Sequence, residues 1–167
     1  MVIRVGVRGG LWVGVLLLMI GAVAGCAANP KAAAIVTTEG EEIDPDGIMD
    51  IEVVVKTCAV PDLKTYFQFD SDELAAHQNL DQLAKCLSGG PLEGNRLVLV
   101  GHTDPLGSDD YNAKLGLARA RKVARYLSER GVDPSRIKYE SQGKARASGD
   151  PAHYPEDRRV DIIVLLH

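Results

Sequence analysis

Hydrophobic positions along this chain fall into segments of different period. Thr65-Tyr66-Phe67-Gln68-Phe69-Asp70 alternates, as a half-buried strand does. Leu80, Leu83, Ala84 and Leu87 recur at i, i+3, i+4 and i+7, which predicts a helix. Asp70 or Ser71 is expected to cap it, with Asp72 and Glu73 suiting the positive end of its dipole. It runs to about Ser88, where Gly89-Gly90-Pro91 stops it. Arg96-Leu97-Val98-Leu99-Val100 is nearly all apolar, the pattern of a central strand covered on both faces. A second helix is predicted from about Asp109 to Arg130, with a buried stripe of Leu117, Ala120, Val123, Ala124 and Leu127, closed by Gly131 and Pro134. Ile137 to Ser141 and Val160 to Leu166 read as further strands, separated by a polar loop from Lys144 to Asp157. Ile51-Glu52-Val53-Val54-Val55 is β-prone and is expected to add an extra strand. The order β-α-β-α-β-β implies an α/β (α+β) fold: a mixed-sheet sandwich with two main helices packed on the sheet.

Before Ile51 the pattern changes. Leu11 to Ala24 is an apolar run preceded by Arg4 and Arg8. It is short for a membrane span, which needs about 20 residues, and suits a secretory signal over residues 1–25. Val23-Ala24-Gly25-Cys26 resembles the lipobox of bacterial lipoproteins, which implies cleavage before Cys26 and its lipidation. The alternative is a short transmembrane helix with an incidental cysteine. Ala27 follows Cys26 in place of the Asp that in such lipoproteins signals inner-membrane retention, so anchoring in an outer membrane is expected. Several acyl chains hold durably where one is marginal. Residues 26–50 then form a flexible acidic tether with no sustained period. Fully extended, about 24 residues reach on the order of 80 Å, and as a relaxed coil roughly 25–30 Å. Residues 51–167 are the folded domain.

Composition narrows the functions available. The chain has 167 residues, enough for one domain plus appendages. Its formal charge is −4, and removing residues 1–25 with their two arginines leaves −6. No clustered Lys and Arg of the kind that neutralises phosphate is present, so nucleic acid is not an expected partner. Cys58 and Cys86 form an even pair in an exported protein, which favours a disulfide over two buried free thiols. Nucleophile-elbow and metalloprotease motifs are missing. The acidic pairs Asp72-Glu73 and Asp109-Asp110 sit at helix starts, where they favour the dipole. No enzymatic activity and no cofactor are expected. His102-Thr103-Asp104 supplies at most half a metal site, with His77 or His153 as distant candidates, so no metal is expected either.

One constellation carries chemistry. Asp104 lies just past the predicted strand from Arg96, where ligands gather in open α/β sheets. Asn112 and Arg119 are seven residues apart on the next helix and share a face. A structural Asp104–Arg119 ion pair is the simpler interpretation of the residues alone. Gly101-His102-Thr103-Asp104, Tyr111-Asn112, Leu117-Ala118-Arg119-Ala120-Arg121 and Asp157-Arg158-Arg159-Val160 together resemble the OmpA-like C-terminal, peptidoglycan-binding domain family. The likeness covers roughly Thr65 to Leu166. It implies that Asp104, Asn112, Arg119 and Arg158 border a site for the diaminopimelate of the peptidoglycan stem peptide. Asp157 departs from the Asn usual in that family and raises two expectations, pairing with Arg158 or repelling the ligand carboxylate. The resemblance implies an outer-membrane-anchored lipoprotein that tethers membrane to wall. The alternative is an interaction lipoprotein of a Tol-like or other periplasmic complex, with weak or lost wall binding.

Overall fold

The structure is a computed structural model that describes residues 47–74 and 77–166, together with two short paired strands, β1 (Ile35–Val36) and β2 (Glu42–Ile43). Residues 1–25 and Cys26, with the signal and lipidation expected of them, lie outside the described residues. So does most of the tether. The domain runs α1 (Ile51–Cys58), β3 (Lys64–Tyr66), α2 (Gln78–Gly89), β4 (Arg96–His102), α3 (Asp109–Ser128), β5 (Ile137–Gly143), α4 (Tyr154–Asp157) and β6 (Arg159–Leu165). Four strands form one mixed sheet in the order β3-β6-β4-β5. β4 and β5 are parallel, joined by the α3 crossover, and the other neighbours are antiparallel.

Alternation along the strands separates the two faces of the sheet. Leu97, Leu99, Val160, Ile162 and Val164 point to the main core, where they meet Val54 of α1, Leu80, Leu83 and Leu87 of α2, and Ala120, Val123 and Leu127 of α3. Val98, Val100 and Leu165 belong to a second, smaller apolar cluster with Ile48 and Ile163 on the outer face. Burial on both faces is what the continuous run at Leu97–Val100 predicts.

Two elements differ from the sequence reading. Ile51–Val55 begins a helix, not a strand. Asp50 caps α1 by accepting the Glu52 N–H at 2.7 Å, and Val54 and Cys58, one turn apart, are its buried positions. Tertiary packing overrides the β-branched propensity. The Cys58–Cys86 disulfide then fastens α1 to α2, with Cα atoms 5.4 Å apart. Closing a loop of this length stabilises by roughly 3–4 kcal/mol in the chain-entropy account. Helix α2 starts at Gln78, seven residues beyond Ser71. Ser71 Oγ instead accepts the Glu73 N–H within a turn. The alternating strand stops at Tyr66, and Asp70 turns the chain with a φ of 52°. The reason is that the carbonyls of Gln68 and Ser71 face Arg119 rather than a helix ladder. The polar loop after Lys144 holds a 3-10 turn (Pro151–His153) and the single turn of α4.

Helix α3 lies unusually close to the end of β4. A Cβ built on Gly101 would sit 1.9 Å from the Gly116 carbonyl oxygen, and one on Gly116 would sit 2.3 Å from Ser141 Oγ. These two glycines let α3 press its polar middle turns onto the sheet beside the Asp104 loop. Gly101→Ala is therefore expected to cost about 3 kcal/mol or prevent folding, read from urea denaturation of the variant beside the wild type.

The outer face also holds Glu140, 3% exposed, with no hydrogen-bond partner for either carboxylate oxygen. Burial raises its pKa above the ordinary 4.5. The folded state thus favours the protonated form, so this group favours folding most at acid pH and that contribution is lost as pH rises through the folded pKa. Glu140→Gln should stabilise the protein at pH 7 by about 1 kcal/mol. The gain should disappear near pH 4, as thermal melts at the two pH values will show.

Candidate functional site

Asp104, Arg119 and Arg158 come from three separate segments. Asp104 follows β4, Arg119 is in the middle of α3, and Arg158 precedes β6. Helix α3 can start where it does because Ser108 Oγ accepts the Tyr111 N–H at 3.2 Å and Asp109 and Asp110 fill the first turn.

Arg119 is fully buried, at 0% exposure. Its Nε donates to Ser71 O at 2.9 Å, Nη1 to His102 O at 2.9 Å, and Nη2 to Gln68 O at 3.2 Å. Its guanidinium carbon lies 5.2 Å from the centre of the Phe67 ring. No carboxylate among the described residues forms an ion pair with it. Burial depresses its pKa to about 10, against the opposing pull of Asp104. The guanidinium stays charged at neutral pH, hydrogen-bonded to three carbonyls and set over a ring face, with Asp104 acting on it across the cavity rather than in an ion pair.

Asp104, 5% exposed, is held differently. Its Oδ1 accepts the Leu106 N–H at 3.2 Å, and its Oδ2 accepts from Arg158 Nη1 at 3.2 Å. Arg158 Nε in turn donates to Phe67 O at 3.3 Å, tying Asp104 to the chain after β3. The structural ion pair is therefore Asp104–Arg158, not Asp104–Arg119. Asp104 and Arg119 instead share the walls of one cavity of about 330 Å³. Arg158 does not line that cavity; it positions Asp104 from behind. Asn112 does line it, but its amide donates to Leu106 O at 2.8 Å and Ser108 O at 3.0 Å, so it shapes the loop that forms the cavity wall. Asp157 is buried away from the cavity, and its carboxylate accepts the Ser148 N–H at 2.9 Å.

Sequence reasoning missed several residues of this cavity. Thr103 lines it, and its buried hydroxyl has no partner. Asp70 accepts a hydrogen bond from the Tyr111 hydroxyl, closing one side. Phe69, Leu106 and Tyr111 form an exposed apolar rim. Thr103 lies inside the Gly101–Asp104 motif, whereas the sequence around Asp70 suits a helix cap and carries no sign of the cavity.

His102 points to the opposite face of the sheet. Its Nε2 meets Asp161 Oδ2 at 3.1 Å, so it bonds a β6 carboxylate and not the Asp104 loop. Burial pushes Asp161 up, but hydrogen bonds from His102 and Arg159 outweigh it and hold the carboxyl below the usual range. His77 stacks on Tyr126, and His153 meets Glu156 at 3.1 Å, so neither converges on His102.

Known proteins carry the same arrangement of segments. The OmpA family profile matches residues 66–159, more than half of the chain. The chain belongs to the OmpA family. It is 43% identical over 102 residues to a peptidoglycan-associated lipoprotein of Pseudomonas aeruginosa, covering 58% of this chain and 59% of that one. It is 35% identical over 140 residues to the lipoprotein of the same name from Pseudomonas putida, covering 74% and 80%. The crystal structure of the peptidoglycan-associated lipoprotein from Burkholderia pseudomallei superposes with a TM-score of 0.56 at 33% identity, over 60% of this chain and 88% of that one. The C-terminal domain of Helicobacter pylori MotB, 20% identical with a TM-score of 0.56 over 62% of this chain and 84% of that one, shares the fold. Among the described residues no helix is long and apolar enough to cross a membrane.

The three carbonyls around Arg119 make it a structural residue as well as a candidate ligand group. Arg119→Lys keeps the charge but has one nitrogen where the guanidinium uses three. It should lower unfolding stability by about 2–3 kcal/mol through unsatisfied carbonyls, measured by urea denaturation, with the native far-UV spectrum retained.

Proposed function

We propose that the domain binds peptidoglycan non-covalently by gripping the free amino-acid centre of diaminopimelate. Arg119 takes the carboxylate through the guanidinium N–H groups its three carbonyl bonds leave over. Asp104 takes the ammonium, its carboxylate oriented by Arg158 and the Leu106 N–H. One observation supports this above the others: a buried cation with no ion-pair partner among the described residues shares a cavity with an acid that a different cation holds. A site of that kind favours a zwitterion over a simple anion or cation. It also favours uncrosslinked stems, because cross-linking turns the amine into an uncharged amide. The names of the Pseudomonas relatives point the same way.

The wider role follows from the chain before the domain. Lipidation at Cys26 would anchor the protein in the outer membrane, and wall binding would tie that membrane to the peptidoglycan. A Tol-like periplasmic partner would add to this role. The reading in which wall binding is lost drew on Asp157, whose carboxylate here serves the Ser148 N–H.

Co-sedimentation with purified sacculi tests the proposal. Asp104→Ala should reduce binding at least tenfold, and free diaminopimelate should compete with wild-type binding while its side-chain N-acetyl derivative does not. Undiminished binding by Asp104→Ala, or equal competition by both compounds, would remove this cavity from wall recognition.

A further inference from the structure

The cavity that holds Asp104 and Arg119 has a neighbour on the same helix. Tyr111 and Leu115 of α3 edge the cavity, and Asp70 lines it from the loop after β3. Further along α3 a second hollow of about 230 Å³ is lined by Ala118, Arg121, Lys122 and Arg125, and by Asp72 from that same loop. Positions 111, 115, 118, 122 and 125 are spaced alternately by four and three, so they make one stripe on the helix. The two hollows therefore share their walls, the α3 stripe on one side and residues 70–72 on the other. Ser71 O accepts from Arg119 Nε at 2.9 Å, which fixes this loop beside the helix. Seven residues separate Leu115 from Lys122, a rise of about 10 Å.

The second hollow is basic. Three cations line it against one acid, Asp72. Arg125 meets the exposed Glu129 at only 3.7 Å, and the Arg121 guanidinium lies 5.8 Å from the centre of the Tyr139 ring. Lys122 is half-buried and has no ion pair or hydrogen bond among the described residues. Arg125 stands four residues from Arg121 and three from Lys122. Like charges at these spacings repel across one helix face, and an anion among them relieves the repulsion.

The peptidoglycan stem carries such an anion at a suitable distance. Diaminopimelate is joined to the side-chain carboxyl of a D-glutamate, which leaves the glutamate α-carboxylate free. Roughly ten bonds separate that carboxylate from the far amino-acid centre of diaminopimelate, about 12 Å in an extended chain. A stem gripped in the cavity and laid along the shared walls brings this carboxylate to Lys122. On the reading of the cavity given above, we propose that Lys122, flanked by Arg121 and Arg125, forms a second subsite for the free α-carboxylate of the stem glutamate. The domain then reads two residues of the stem and distinguishes a free glutamate from an amidated one. The cations face solvent on one side, so the preference is modest and salt weakens it.

Two synthetic peptides test this by calorimetry on the full-length chain in detergent micelles. Both contain N-acetyl-L-alanine, γ-linked D-glutamate and diaminopimelate, with the diaminopimelate α-carboxyl amidated. They differ only in whether the glutamate α-carboxyl is free or amidated. The free acid should bind about fivefold more tightly at low salt. Lys122→Gln should abolish that preference by weakening the free acid while leaving the amide unchanged. Lys114→Gln loses the same charge on α3 outside both hollows and should keep the preference. Equal binding of the two peptides by the wild type, or a preference that survives Lys122→Gln, overturns the glutamate subsite and leaves the cavity reading intact. Loss of the preference in Lys114→Gln as well would reduce it to a general field of the helix and also overturns the subsite. Binding of neither peptide removes the cavity reading and the subsite together.

Discussion

A charged guanidinium sits at the centre of this domain with no ion-pair partner among the described residues. Everything around Arg119 follows from having to hold it there. Three backbone carbonyls from two different segments turn toward it, and Phe67 gives it a ring face. Two of those carbonyls belong to the chain after β3, which is why that chain loops instead of continuing as strand or starting α2 early. Helix α3 can bring the guanidinium this close only because Gly101 and Gly116 remove both side chains from the crossing. Burying such a charge without a formal partner is costly. A protein that bears the cost has room for an anion to complete the arrangement.

The second cation explains why the site is not already neutralised. Asp104 is taken up by Arg158, which reaches it from the β6 side and is itself fixed to Phe67 O. Acid and base are thereby kept apart across a cavity rather than collapsed onto each other. The cavity thus presents the Arg119 guanidinium beside the carboxylates of Asp104 and Asp70, with Arg158 holding Asp104 from behind.

The sheet and both long helices were legible in the sequence because their apolar periods are long and their stops are Gly and Pro. Strand β4 was clearest, since both its faces are covered. Helix α1 was misjudged because Ile51 to Val55 is rich in β-branched residues; its helical signal is a Val54–Cys58 spacing that gains meaning only once Cys86 is known to lie beside it. The start of α2 was misplaced because Ser71 looks like a cap, and nothing local reveals that its carbonyl is claimed by a residue 48 positions away. At the cavity, motif spacing brought Asp104, Asn112 and Arg119 together but did not reveal that Arg158 pairs with Asp104. That Arg158 and not Arg119 meets Asp104 depends on how β6 lies against β3 and β4, which no short spacing encodes.

The place where the chain enters also decides how the domain would respond to force. Gly47, Ile48 and Met49 are stitched to the last residues of β6, beside the end of the sheet where Arg96 starts β4. Asp104 lies beyond the other end of that same strand. Tension between an anchor upstream of the domain and a ligand in the cavity would run along the strands, loading their hydrogen bonds in shear rather than opening them one at a time like a zipper. A fold connected in this way resists a pull applied between its entry point and the Asp104 loop.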